Sequence, residues 1–294
     1  MDAQAAVRLL LEGNGRDQRP LPPARYVPLQ AQDPGPVHAV DGSHAVLVDN
    51  GAVWVVATRS AAIRWPGLQR ELEPELHACR AEEAQALLDA AYARHGLEPP
   101  RAGSAAAWAE AWRGLREHEA ALRAVADAQQ GSLVLVDGAL VGLPPLAQAM
   151  ADRLRNAAAR HALRLVGVSK RSGLERGGVP LVGHLHAHGP AGAWSVEVEP
   201  GVHVARLHGQ APCAFRVDAT DGASIGALLP LARDAVYAGY PYPLAVAHNQ
   251  VALTAGVVAE LKARLALEAR RVGGSEAARL FADFHEVLDR NVPG

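Results

Sequence analysis

The sequence predicts an α/β fold in which helices flank a mixed sheet and a helical C-terminal region follows. Three observations lead there. Short strand-like runs separated by turn residues open the ordered part, at 37–41, 44–49 and 52–58. Two further apolar runs, at 132–137 and 163–169, enclose a helical segment. From Gly222 onward the residue pattern is mostly helical.

The composition suits such a fold. With 294 residues, 49% of them apolar, the chain can bury the core of one enlarged domain or two small ones. A charged fraction of 20% excludes global disorder, and 20 prolines without a repeat exclude collagen and solenoids. The formal charge of −2 excludes a generally polybasic coat, so any nucleic-acid contact must use a local basic surface. Basic charge does concentrate between residues 153 and 176, where Arg153, Arg155, Arg160, Arg164, Lys170, Arg171 and Arg176 face only Glu175.

Two isolated cysteines, Cys79 and Cys213, suggest neither a disulfide framework nor a thiolate zinc site. They fit a reducing compartment. The first eleven residues lack the signal-peptide pattern, so a cytoplasmic location is expected. The uncharged stretch 235–259 is long enough for a bilayer, but Pro241, Pro243, His248, Asn249 and Gln250 interrupt it. It reads as protein interior, with no membrane partner.

Element by element, a helix is expected at 3–12, then an irregular arm holding Pro20, Pro22, Pro23, Pro28, Pro34 and Pro36. The three short strands follow as a meander, turned by Asp41-Gly42-Ser43 and Asn50-Gly51. Helices are expected at 74–94 and 104–129, the second with Trp108, Trp112, Leu115 and Leu122 as its core stripe. Strand 132–137, helix 145–161 and strand 163–169 come next, and 178–218 reads as strands and turns. This order, with an extra helix inserted, is the RNase H-like plan. Residues 1–36 are thus a helix and proline-rich arm, 37–255 the core with inserted strands, and 256–294 C-terminal helices. The last helix, 275–288, gathers Ala277, Leu280, Phe281, Phe284, Val287 and Leu288 on one face, which would dock on the core, a second copy or a partner.

Asp41 closes the first expected strand and Asp137 the fourth, each followed by glycine. Carboxylates on neighbouring strand ends repel unless a cation lies between them, which is how a Mg²⁺ or Mn²⁺ site arises. A third carboxylate should come from the intervening helix. Glu117 and Glu119 are both candidates, about 200° apart around the axis, so one of them faces the sheet. Further on, Pro241 and Pro243 set an extended lead into a helix carrying His248, an imidazole able to ligate a metal or move a proton. Lys170, one of two lysines among 29 cationic residues, ends the fifth strand at the same sheet edge. Its ammonium can reach one phosphate oxygen as a point charge.

Together, Val40-Asp41-Gly42-Ser43, Leu135-Val136-Asp137-Gly138, Val168-Ser169-Lys170 and Tyr240-Pro241 through Leu244 to His248 resemble, in order, the motifs of the NurA nucleases. The resemblance spans roughly residues 37–255. It implies an RNase H-like, manganese-dependent enzyme, with magnesium as an alternative. Such an enzyme cuts single-stranded DNA internally and degrades single- and double-stranded DNA 5′ to 3′. The resemblance further implies a homodimer working with a HerA-type hexameric ATPase in end resection, recombination and repair. By the same resemblance Asp41, Glu119 and Asp137 are metal ligands, and Tyr240 and His248 complete the site. Two divalent ions would then activate the attacking water and stabilise the leaving 3′ oxygen, with His248 a ligand or proton donor and Tyr240 on the phosphate or a base.

Other signals carry less. His184, His186 and His188 would share one face of a strand, but Gly183, Gly189 and Pro190 favour an exposed loop. Gly177-Gly178 lacks the residues of a phosphate loop. Two other classes remain compatible with the sequence: a non-catalytic DNA-end-binding subunit of an ATPase complex, and an actin-like or sugar-kinase ATPase, although the latter needs a duplicated domain.

Overall fold

The computed structural model describes residues 24–279 apart from 68–71 and 177. The helix expected at 3–12, the proline arm up to residue 23 and the 280–288 part of the last helix fall outside the described residues. In chain order the elements are β1 (Val27–Pro28), β2 (Val37–Asp49), β3 (Val53–Trp65), β4 (Glu75–Arg80), α1 (Ala84–Ala93), α2 (Ala105–Asp127), β5 (Leu133–Asp137) and α3 (Pro145–Arg160). They continue with β6 (Arg164–Ser169), β7 (Glu175–Arg176), β8 (Val179–Pro180), α4 (Leu181–His188), β9 (Trp194–Glu199), β10 (Val202–Arg206) and β11 (Phe215–Ala219). Last come α5 (Gly222–Gly226), α6 (Tyr242–Val251) and α7 (Ala255–Arg279). The result is a mixed α/β protein with a large mixed sheet flanked by helices.

The chain divides into two compact units. Among the described residues, one comprises residues 24–39, Ile63–Gly67 and Ala124–Val246; the other takes Val40–Ala62, residues 72–123 and residues 247–279. In the first unit the strands run β1-β9-β10-β11-β6-β5. Strands β5 and β6 are parallel, with Leu133 opposite Arg164 and Asp137 opposite Val168, and α3 makes the crossover that parallel strands require. The pairings of β6 with β11, β11 with β10 and β10 with β9 are antiparallel. Leu181 and Leu185 of α4 close one core region against Trp194, Val196 and Val204.

In the second unit β2, β3 and β4 lie side by side. Two expectations are corrected here. Residues 75–80 form strand β4 rather than the start of a helix, antiparallel to β3 with Val53 opposite Arg80 and Thr58 opposite Glu75. Its burial follows a period of two: His77 and Cys79 turn inward while Leu76, Ala78 and Arg80 face out. His77 stacks on Trp112 at 4.4 Å and bonds Thr58 Oγ1 at 2.9 Å, so helix α1 begins only at Ala84. The second correction concerns Asp41-Gly42-Ser43, which is no turn, because β2 continues through it for 13 residues. Asp41 Oδ1 accepts the Gly42 N–H at 2.7 Å, and the Ser43 hydroxyl donates to the Val251 carbonyl. Side-chain bonding is therefore satisfied within extended backbone, where turn chemistry would otherwise compete.

Trp108 and Trp112 are buried, as the helical stripe predicts, and Trp108 Nε1 donates to the Ala84 carbonyl. The histidine run is corrected as well: 181–188 is helix α4, not a loop or strand. The stretch Tyr242–Gly273 is long and apolar enough to cross a membrane by length and composition alone. Leu244, Val246 and Val251 within it are buried against protein.

Candidate metal centre

In the first unit, the parallel register that sets Asp137 opposite Val168 brings the residue just beyond β6 toward the end of β5. Lys170 Nζ lies 2.6 Å from Asp137 Oδ2, and 5.4 Å from the ring centroid of Tyr240. Tyr240 is buried and tilts against Phe215 at 5.5 Å. The ammonium therefore touches a carboxylate and lies over the negative face of an aromatic ring. Three of the sequence-selected residues, Asp137, Lys170 and Tyr240, are thus neighbours.

The backbone here tolerates little change. A Cβ on Gly167 would lie 2.5 Å from the Gly138 carbonyl oxygen, so the two chains approach closely only because residue 167 is glycine. Gly138 itself has φ +144° and donates to the Val168 carbonyl at 3.0 Å. The loop after Asp137 is held by a residue that the sequence reading missed. Asp218, 1% exposed, accepts the backbone N–H groups of Leu140 and Val141 at 2.7 and 3.1 Å and a two-point bond from Arg216. Arg216 also donates to the Val141 carbonyl. The sequence signal was Arg216-Val217-Asp218, opposite charges two apart on one strand face.

In the second unit, Asp41 is 5% exposed, and His248 Nδ1 lies 2.8 Å from its Oδ2. An Nδ1–H tautomer donates to that carboxylate and leaves Nε2 with its lone pair available. The His248 side chain is 53% exposed, so its outer nitrogen is accessible. Of the two helix carboxylates, Glu117 packs against Gly42, the residue after Asp41: a Cβ there would lie 3.0 Å from Glu117 Oε2 and 3.2 Å from its Cβ. Glu117 Oε2 accepts from Arg113 at 2.5 Å. Glu119 is engaged elsewhere, by His95 Nε2 at 2.9 Å and Arg116 Nη1 at 2.8 Å. Burial pushes the Glu119 carboxyl up, but the bonds and charges of Arg116 and His95 outweigh it and hold the pKa below the ordinary carboxylate value.

Among the described residues, Asp41, Asp137 and His248 are the candidate metal ligands. The donor set fits a divalent cation. Two carboxylates with an imidazole nitrogen are ligands that Mg²⁺ or Mn²⁺ can take.

The histidine run does not supply a three-imidazole set. His184 and His188, four apart on α4, stack at 4.3 Å, and His188 Nδ1 donates to the His184 carbonyl. His186 belongs to another face of the helix.

Seen as a whole, the fold is that of an RNase H-like α/β protein. The crystal structure of NurA is similar to this chain, with a TM-score of 0.61 and 10% sequence identity, over 95% of this chain and all of that one. The catalytic domain of human endonuclease V (TM-score 0.40, 15% identity, 90% of this chain and 96% of that one) and endonuclease V from Streptomyces avermitilis (0.37, 15%, 90% and 94%) are more distant. No protein-family model and no curated protein matches the sequence.

Proposed function

We propose that this protein is a divalent-metal-dependent deoxyribonuclease whose centre is built on Asp41, Asp137 and His248, with Glu117 in place of Glu119 as the helix carboxylate. The observation that carries the reading is the pairing of two sheet carboxylates with basic groups suited to phosphate chemistry: Asp41 with His248 and Asp137 with Lys170. The NurA-like fold and the ordered motifs support it.

Bound there, a pair of divalent ions would supply Lewis-acid neutralisation of the phosphate and a lowered pKa for the attacking water. The protein's own groups do the rest. Asp41 and Asp137 hold the negative charge that retains the cations, and Asp41 fixes the ring of His248 through Nδ1. His248 Nε2 is then oriented as a ligand through its lone pair or, when the ring has taken up a second proton there, to pass that proton to the leaving oxygen. Lys170 exchanges its hold on Asp137 for a non-bridging phosphate oxygen, and the face of Tyr240 keeps the ammonium in place. Asp218 and Arg216 act by positioning, since they immobilise the loop that follows Asp137.

Manganese as the working metal, 5′ to 3′ degradation and single-stranded cutting belong to the same proposal. So do a homodimer and a HerA-type hexameric ATPase acting with it at DNA ends in resection and repair. The test is incubation of the purified protein with 5′- and 3′-labelled single-stranded and duplex DNA, with Mn²⁺, with Mg²⁺ and with chelator. Metal-dependent shortening that chelator stops is expected. DNA-end binding without cleavage under any metal would overturn the enzymatic reading in favour of a non-catalytic end-binding subunit.

A further inference from the structure

The first unit carries a second cationic feature, away from the proposed metal ligands. A cavity of about 420 Å³ is lined by Arg25, Tyr26, Arg176, His184, His188 and Glu197, among others. Its walls are β9, helix α4, the short strand β7 and the segment before β1. Arg25 and Arg176 are exposed, so their guanidinium groups are accessible at the cavity. The two histidines present stacked imidazoles, with His188 Nδ1 committed to the His184 carbonyl. The hydroxyl of Tyr26 is taken by the Leu185 carbonyl at 3.2 Å, and Glu197 Oε1 accepts the Gly201 N–H at 3.1 Å.

The charge decides what such a cavity takes. Two histidines at helical spacing can bind a transition metal, but two guanidinium groups in the same cavity repel a cation. Burial first, and then the neighbouring His188, hold the His184 pKa below its ordinary value. Guanidinium forks match phosphate oxygens two at a time.

We propose that this cavity is a phosphodiester-binding subsite that holds single-stranded DNA away from the cleavage centre. The inference rests on the reading of the chain as a DNA-processing protein. Strand β9 stands four places from β5 in the order β5-β6-β11-β10-β9, which at the usual strand spacing is about 20 Å. At about 3.4 Å per stacked nucleotide, that span corresponds to about six nucleotides between the bound phosphate and the scissile bond. The subsite therefore grips the strand well outside the reacting linkage and adds affinity without entering the chemistry.

The experiment is binding of the full chain to a fluorescein-labelled single strand of about 20 nucleotides in chelator, at several salt concentrations. The Arg25→Gln/Arg176→Gln double variant should bind about tenfold more weakly at low salt, and its log–log salt slope should be shallower by about one to two. The Arg25→Lys/Arg176→Lys variant keeps the charge and should recover most of the affinity, which separates charge loss from misfolding. Unchanged affinity and slope in the glutamine variant would overturn the proposal. So would binding of inorganic phosphate at these residues with unaltered DNA binding, because the cavity would then serve a small free anion. Cleavage is not read in this assay, so a failure of the nuclease reading shows only in the degradation experiment and a failure of the subsite only here.

Discussion

Replacing Glu119 by glutamine should weaken the protein without stopping it, whereas the same change two residues earlier should stop it. Glu119 accepts from Arg116 at 2.8 Å and meets His95 at 2.9 Å, with side-chain exposures of 16% for Glu119, 27% for Arg116 and 23% for His95. Charge-assisted bonds in partly buried surroundings contribute about 1.5–3 kcal/mol, fully exposed pairs about 0.2–1 kcal/mol. The glutamine amide keeps part of the bonding, so a net loss of about 1 kcal/mol follows, or about 2–4 °C in Tm. The pH dependence has a definite sign. Because the folded pKa of Glu119 is depressed, its contribution is present above the unfolded carboxylate pKa and disappears as pH falls through the folded value. Wild type and Glu119→Gln should therefore converge in stability under acid conditions and differ at neutral pH. Glu117→Gln, against Gly42, should lower single-turnover cleavage by about 100-fold or more while melting within a few degrees of wild type. The assay is thermal melting across pH joined to cleavage of a short labelled oligonucleotide. An inactive Glu119→Gln with an unshifted melting curve, or a fully active Glu117→Gln, would refute the reasoning.

Two further outcomes follow from the first unit. Asp218→Ala leaves the Arg216 guanidinium, 11% exposed, without its carboxylate, and should cost about 3–5 kcal/mol in denaturant unfolding; a loss under about 1 kcal/mol would show that the pair does not hold the loop after Asp137. Lys170→Arg should retain most DNA affinity because the charge remains, yet lose turnover, since the wider guanidinium with its two-point fork would misplace the phosphate that the point-charge ammonium holds; wild-type turnover would mean that only charge matters.

Much of this was legible in the sequence where local pattern and tertiary demand agree. Strand β5, helix α3 and strand β6 fall within a residue or so of their expected limits, because an apolar run, a 3.6-residue period and terminal glycine or proline all point the same way. The failures have physical causes. Asp41-Gly42-Ser43 carries turn residues, but their side-chain bonds are satisfied inside a continuous strand, so turn propensity was overridden. Residues 75–80 lack β-branched side chains, and only tertiary partners, Thr58 across the strand pair and Trp112 on helix α2, reveal them as a strand. The candidate site was read with an open choice at the helix. Periodicity states that Glu117 and Glu119 face different ways without stating which way the sheet lies. The Arg216–Asp218 support escaped notice because its partners, the backbone of residues 140 and 141, are 75 or more positions distant in sequence.

The central claim is that Asp41 and Asp137 hold the cations that make this protein a nuclease, and single-turnover DNA cleavage measured against Mn²⁺ concentration tests it most directly. Wild type should show a rate that rises with Mn²⁺ and saturates. Asp41→Asn and Asp137→Asn, folded by circular dichroism, should fall by about 100-fold or more at every concentration, because an amide fills the volume of a carboxylate without its charge. Either variant cutting DNA at the wild-type rate, with the same Mn²⁺ dependence, would contradict the account.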